Sequence, residues 1–543
     1  MKRLILIIYG WVLAHCMLAS MHSYTTESAL NSGTIIKIRI SETGVYMIPY
    51  DSLKSWGLNP EHVCVLGYGG AMLSENFTDH HYDDLPAAPI YMHKGSDNLF
   101  NKGDYILFYA QGAIQWNADK KGIWRHTQNP YSDYGYYFVT DKQSMQHTIA
   151  ISDKKYEMND LKESDWQTIY LLHEKDEVNL VDVSGINGGG REFYGETINS
   201  QNKTLTISFP TQYVRTDMQA HCKVALAASS GTSTPIKVTY AGNIASKNIS
   251  PVTDQHTKAI ADSIVMDINS SSDKEQKVNI HLNSNNSNTT AYLNYIELNI
   301  PCDLVMDGNE MLITNANAVG QSTVVRYHLQ GATAQTQIWC VTDHLNIERI
   351  PTEFSGNVLT WLGNNTSIEK YVALNPFSNA WKKPVTIGKI ANQNLHQLEN
   401  IDYVIICPTE FIAPAERLAK KHEEIDNLTW VVVTDEQVYN EFSSGTPDAS
   451  AYRWLMKMLY DRANGNPITA PKHLLLLGDG TYDNRKLIRV SGSNKLLTYQ
   501  TKNSTRETEA FGTDDYFGFL QDKAGVNTNG IFDAKTATMD IGV

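Results

Sequence analysis

Two periodicities divide this chain. From about Ser23 to Asn375, apolar and polar residues alternate along short runs. Residues 34–40 place Ile36, Ile38 and Ile40 on one face, with Lys37 and Arg39 on the other, as a half-buried strand requires. Residues 277–282 repeat the pattern through Val278, Ile280 and Leu282, and residues 292–300 do so through Ile296, Leu298 and Ile300. Turn signals at Ser41, Glu42, Thr43 and Gly44 and Ser/Asn tracts at 269–273 and 283–290 separate the runs, which predicts antiparallel sandwiches or barrels. The glycines 188–190 read as the break between two β units, 23–190 and 191–375. Residues 376–401, with Lys382, Lys383 and Pro384, read as a linker.

Beyond Asp402 the period changes. Tyr403–Cys407, 430–433 and 474–477 are continuous apolar runs, as in strands covered on both sheet faces. Between them, Ile412, Ala415, Leu418 and Ala419, and then Ala451, Leu455, Met458 and Leu459, recur at helical spacing. Thr446 is expected to cap the second helix, with Pro447 at its first position and Asp448 on its positive end, and Gly465 and Pro467 are expected to stop it. Residues 539–543 read as one more strand. The sequence thus predicts a multidomain β plus α/β chain: two N-terminal antiparallel β-sandwich- or barrel-like domains, then the first half of a doubly wound α/β domain over 402–543.

The first residues have a different character. Lys2 and Arg3 precede an apolar core from Leu4 to Leu18, and the small residues Ala19 and Ser20 follow, the order of a secretory leader over residues 1–22. The core is shorter than a membrane span and is interrupted by His15, so export is expected, with Cys16 part of the leader.

A length of 543 residues predicts three to four domains, and a hydrophobic fraction of 42% lets most of them fold around cores. The net charge of −14 excludes a nucleic-acid partner, because phosphate binding rests on clustered Lys and Arg. Cys64, Cys222, Cys302, Cys340 and Cys407 are scattered, with neither a disulfide framework nor zinc-type spacing.

Several groups have the right chemistry for a site. Cys407 ends the first apolar strand, at the edge where open α/β sheets place active sites, but it reads first as a small buried core residue. The histidine of that sheet, His473, sits at the far end of the third strand, roughly 16 Å from the edge at about 3.3 Å per residue, so the two form no dyad. His221 and Cys222 are strand neighbours and point to opposite faces. Asp479, Asp483, Asp514 and Asp515 follow strand ends, where calcium or substrate contact is possible, although turn and cap roles are the favoured reading. Asp79, His80, His81, Tyr82, Asp83 and Asp84 read as a solvated loop. Gly67, Gly69 and Gly70, like glycines 188–190, lack the Lys and Ser/Thr of a phosphate loop and read as turns. Trp116, Tyr136 and Tyr137 are assigned no ligand.

Five motifs carry a family resemblance: Asn392 to His396, Val438 to Pro447, Leu475 to Gly480, Thr513 to Gly518, and Asp540-Ile541-Gly542. They resemble the gingipain-type (C25) cysteine peptidases, in particular the sortase branch that serves type IX secretion. Upstream, Gly44 to Tyr46, Asp83 to Pro86, Gly103 to Tyr109 and Asn129 to Ser132 resemble that branch as well. The resemblance implies a caspase-like α/β domain in an exported protein associated with the outer membrane at the cell surface. Its partners would be C-terminal sorting domains of secreted proteins and other outer-membrane components of type IX secretion. It also implies a Cys-His dyad that cuts the sorting signal through an acyl-enzyme and passes the cargo to a lipopolysaccharide amine, with no cofactor required.

The family places both dyad residues after the Asp-Ile-Gly strand, so they are expected past Val543. No catalytic residue is therefore assigned within the chain, and its substrate-binding and metal-binding residues stay unassigned. The chain alone is expected to be inactive, and to self-associate or open locally past about Pro467. The alternative reading is a non-catalytic surface adhesin or assembly module with a degenerate caspase-like domain.

Overall fold

The computed structural model describes residues 22–182, 188–314, 319–320, 322–488, 495–532 and 538–543. The expected leader, apart from His22, lies outside the described residues, and so does Cys16. No described helix is long and apolar enough to cross a membrane.

The alternating runs become strands whose inward residues meet across paired sheets. Ile36–Ile40 lies between Gly135–Thr140 and Val385–Lys389, antiparallel to both. Its Ile36, Ile38 and Ile40 pack on Tyr46, Ile48 and Phe108 of a second sheet formed by Gly44–Pro49, Tyr105–Ala110 and Ile90–His93. In the next sandwich, Trp166–Glu174, Thr290–Asp303, Gln219–Ser229 and Ile260–Asn269 face Thr204–Pro210, Glu275–Leu282, Thr234–Tyr240 and Asn243–Ile249. Val224, Val238, Ile280 and Leu298 lie in the core between them. A further pair of sheets is built mainly from strands between Glu310 and Leu374, around Ile313, Leu329, Ile338 and Trp361.

Apart from the hairpin Ile114–Ala118/Trp124–Gln128, the described strands upstream of the α/β segment group into three sheet pairs, and the pairing crosses the boundaries expected at 190 and 375. Trp166–Glu174 lies before the glycines 188–190 yet pairs with Thr290–Asp303, while Ala150–Ile151 and Leu161–Ser164 join sheets completed after residue 320. The stretch expected as a linker contains Val385–Lys389, a ladder strand of the first sheet. Alternation defines which face of a strand is buried, but not which distant strand lies beside it. The polar face of Ile36–Ile40 is a second difference. Lys37 is buried, its ammonium donating to Asn440 Oδ1 at 2.9 Å and lying 3.4 Å from Glu436, because a helix of the α/β segment covers that face.

The α/β segment follows the predicted order closely. Tyr403–Cys407 is the central strand, parallel to Trp430–Thr434 on one side and to His473–Leu476 on the other. The expected terminal strand joins beside His473 as a parallel bridge, with Leu474 N–H donating to Gly542 O and Gly542 N–H to Lys472 O, both at 2.9 Å. Helix Ile412–Asp426 covers one face, with Ala415 and Ala419 against Ile405 and Cys407. Helices Asp435–Phe442 and Ala449–Arg462 cover the other, with Val438, Leu455 and Met458 in the core around Val404 and Ile406.

Helix Asp435–Phe442 was not foreseen. It starts at a capping box in which Thr434 and Gln437 satisfy each other's backbone N–H groups. The following helix starts at Ala449, capped by Asp448 instead of Thr446, because Asp448 accepts from Ser450 N–H at 2.8 Å while Thr446 donates its hydroxyl to Gly69 O.

Candidate functional site: the C-terminal edge of the parallel sheet

In a parallel sheet all strands end on one side, and the loops leaving that side are the default place for chemistry. Here the edge is formed by Cys407, Thr434 and the turn after His473–Leu476. Cys407 is fully buried, and its thiol lies in the cluster of Ala415 and Ala419, facing helix Ile412–Asp426. Burial first, and then the carboxylates of Asp435 and Glu410, push the thiol up to about 11. A thiol in that state is protonated at neutral pH and unsuited to attack a carbonyl. Asp435 is itself pushed up to about 6 by burial, and Glu410 is ion-paired with Lys495 at 2.5 Å. His473 pairs in register with Tyr403, at the opposite end of the sheet.

The remaining cysteines do not compensate. Cys64, Cys222, Cys302 and Cys340 are all buried and free, and no thiol is hydrogen-bonded to an imidazole among the described residues. His221 turns away from Cys222 toward Asp267, 2.6 Å from its Nδ1.

Of the acidic candidates, Asp483 has a structural role. The buried Asp483 accepts from Leu487 and Ile488 N–H at 2.9 and 2.7 Å, so it organises its own turn. Asp479 is exposed, and Asp514 and Asp515 are exposed at the start of the one-turn helix Asp515–Gly518. No three of the described His, Cys, Asp and Glu residues converge as metal ligands. The upstream cluster is only partly solvated: Asp79 and His80 are exposed as expected, whereas His81 to Asp84 are partly buried. His81 stacks on Trp454 at 3.7 Å and is pushed down to about 3 by burial and the neighbouring imidazoles. Asp84 accepts from Ala29 N–H at 2.6 Å.

One ionisable group lies inside a family-like motif without a local sequence signal of its role. His396 is fully buried, stacked on Phe442 at 4.7 Å. Its Nδ1 lies 2.6 Å from Glu441 Oε2 and its Nε2 lies 2.8 Å from Asp83 O. Burial opposes its charge, but Asp83 and Glu441 outweigh burial and raise it to about 10, so His396 is an imidazolium at neutral pH. Glu441 also accepts from the N–H groups of Leu395 and His396, which fastens this segment to helix Asp435–Phe442. The signal was an acid and a histidine in two motifs of one family, but their contact is not local.

The edge is held from outside by the β scaffold. Glycines 188–190 are not a free turn: Gly190 N–H donates to Gln500 Oε1 at 3.2 Å, Arg191 N–H donates to Thr501 O at 2.9 Å, and a Cβ on Gly190 would stand 1.9 Å from Asn503 O. From the other side, Lys258 N–H donates to Thr505 O, and Glu507 N–H donates to His256 O. Arg191 forms a buried ion pair with Glu75, and Arg453 reaches the carbonyls of Glu75, Phe519 and Ala524. The loop beyond the third strand is thus clamped between two segments of the middle sandwich. The aromatic candidates are accounted for as well: Tyr137 is buried, and Trp116 stacks on Tyr170 at 4.5 Å.

Comparison with known proteins agrees with this architecture. Residues 396–543 match the model of peptidase family C25. The crystal structure of dimeric latent PorU from Porphyromonas gingivalis superposes with a TM-score of 0.80 at 27% identity, covering 94% of this chain and 48% of that chain. The chain therefore spans about half the length of the PorU it matches. A carbohydrate-binding module, CBM36 in complex with calcium and xylotriose, matches 24% of this chain and 98% of its own, at 14% identity and a TM-score of 0.16, too low to bear on function. No curated protein sequence gives a significant match. With three sheet pairs leading into a parallel α/β sheet, the chain resembles PorU along nearly all of its length, and its residues 396–543 resemble the gingipain-type C25 peptidases.

Proposed function

We propose that the chain is the scaffold and recognition portion of a PorU-like cysteine endopeptidase and transpeptidase that removes C-terminal sorting signals from cargo of type IX secretion. The carrying observation is the superposition on PorU along 94% of the chain, with the C25 segment in its place at the end of the β scaffold. In this reading the protein works at the cell surface, associated with the outer membrane. Its partners are the C-terminal sorting domains of cargo and the outer-membrane components of the secretion system. No cofactor takes part, and any calcium would bind at the Asp479 and Asp514 loops without entering the chemistry.

The chain by itself does not hydrolyse peptide bonds in this reading. Acyl transfer by a thiol needs an adjacent base and donors for the oxyanion, and neither acts from a distance. The described thiols have no imidazole partner, and Cys407 is held protonated. The test is to present the purified chain with a cargo protein bearing its sorting domain. Binding without cleavage is expected. Cleavage by the chain alone, together with labelling by an electrophilic thiol probe, refutes the assignment of roles, and absence of binding refutes recognition.

A further inference from the structure

A cavity of about 680 Å³ lies between the three sheet pairs and falls within the size range of ligand clefts, about 300–1,000 Å³. Its floor includes Tyr170 and Leu172 of Trp166–Glu174, the outermost strand of its sheet. Two observations fix which backbone groups of this strand point outward. Pro301, opposite Thr168, turns its carbonyl the other way, accepting from Arg215 N–H at 2.9 Å, and Thr168 O accepts from the Thr314 hydroxyl at 2.7 Å. N–H and C=O of one residue aim to the same side of an antiparallel strand, so Thr168, Tyr170 and Leu172 all aim away from Thr290–Asp303. Tyr170 and Leu172 therefore leave two N–H and two C=O groups on the cavity side, with no protein partner among the described residues. An unpaired edge of this kind is a template for another strand.

The walls add a charge preference. Lys370 donates to Trp116 O at 2.8 Å and lies 4.8 Å from the Trp124 ring centre, but it has no carboxylate partner among the described residues. Burial lowers its pKa, as expected of an ammonium without a counter-charge. The acids of the lining are engaged elsewhere: Asp133 pairs with Arg485, Glu42 pairs with Lys382, and Glu310 accepts from Val45 N–H. An occupant that supplies both a backbone ladder and one carboxylate satisfies every unmet group named here.

We propose that this cavity is an exosite for an extended peptide segment, which adds as a strand to the free edge at Tyr170 and Leu172 and places an Asp or Glu carboxylate on Lys370. Strand addition draws affinity from main-chain hydrogen bonds and specificity from the side-chain contacts. The exosite stands independently of the peptidase reading.

The test uses the 543-residue chain and a fluorescein-labelled, end-capped heptapeptide of alternating threonine and valine with one glutamate, followed by anisotropy. Saturable binding is expected. Lys370→Met, or glutamine for the peptide's glutamate, should weaken it by about tenfold, the scale of one charge-assisted hydrogen bond. N-methylating alternate amides should abolish binding in one parity and spare it in the other. The peptide variants keep the test decisive if Lys370→Met fails to fold. Absence of saturable binding overturns the proposal. So does equal sensitivity to both methylation parities, and so does binding that depends on Lys370 but survives every methylation, which would mean a carboxylate held without strand addition.

Discussion

The His396–Glu441 pair makes a prediction with a definite sign. His396 is fully buried and raised from 6.5 to about 10 in the folded chain, with Glu441 2.6 Å from its Nδ1 and Asp83 O 2.8 Å from its Nε2. It binds its proton more tightly folded than unfolded. Its contribution to stability is therefore fully present below pH 6.5 and disappears as the pH rises through about 10. At about 1.4 kcal/mol per pH unit, that rise corresponds to about 5 kcal/mol, an upper figure for one group. Loss of one partner from a buried pair in other proteins costs about 3–5 kcal/mol, a similar magnitude.

The perturbation is His396→Gln, which keeps a donor toward Glu441 but removes the titration. The assay is urea unfolding of wild type and variant at several values between pH 6.5 and 10, followed by tryptophan fluorescence. Trp454, packed in the core that His81 covers, reports on the α/β segment. Other groups titrate in this range, so the informative quantity is the difference between the two proteins at each pH. Wild type should be more stable by about 3–5 kcal/mol at pH 6.5, and the gap should close steadily toward pH 10. A gap that stays constant or widens with pH would refute the imidazolium assignment. A gap of under about 1 kcal/mol at pH 6.5 would show that solvent screens the pair as it does at a surface.

The remaining predictions concern the scaffold and the thiols. Gly445→Ala should destabilise by about 1–3 kcal/mol, because Gly445 has φ +76° and a Cβ there would stand 2.8 Å from the Phe138 ring; faster limited proteolysis near residues 443–448 would register it. Arg453→Met should cost about 3–5 kcal/mol, since it leaves the carbonyls of Glu75, Phe519 and Ala524 without their donor. Its readout is faster hydrogen exchange at residues 519–524. In native protein at pH 7.5, Cys407 should resist iodoacetamide and become modified only on unfolding, because the thiol is buried and raised to about 11. Peptide mapping checks this, and labelling of Cys407 in the folded chain contradicts it.

The parallel strands were readable almost to the residue, because strands buried on both faces must be apolar throughout and Tyr403–Cys407 is. Helix Asp435–Phe442 was hidden for the opposite reason. Its Asn440 and Glu441 are buried polar residues, satisfied by Lys37, Gln393 and His396 from elsewhere in the chain, so an apolar stripe was never required. The same holds for Ser444, which lies two residues before the expected cap Thr446. Its hydroxyl accepts from Tyr68 and Gly69 N–H and donates to Tyr136 O, which makes the turn part of a docking surface. Local pattern reports burial and period. It does not report a polar contact whose other half lies hundreds of residues away.

These distant contacts also bear on what the sheet edge can do. Burial first, and then Asp435 and Glu410, oppose a thiolate at the end of Tyr403–Cys407, so a nucleophile working at this edge needs a positive charge beside it as well as a base. An imidazole supplies both, accepting the proton and then standing as a cation next to the sulfur. His396 is the imidazolium already present in the segment, but Glu441 and the Asp83 carbonyl take both of its ring nitrogens, and its charge holds the helix to the scaffold. The acidity of the edge and the commitment of His396 together require a nucleophile here to bring its own imidazole.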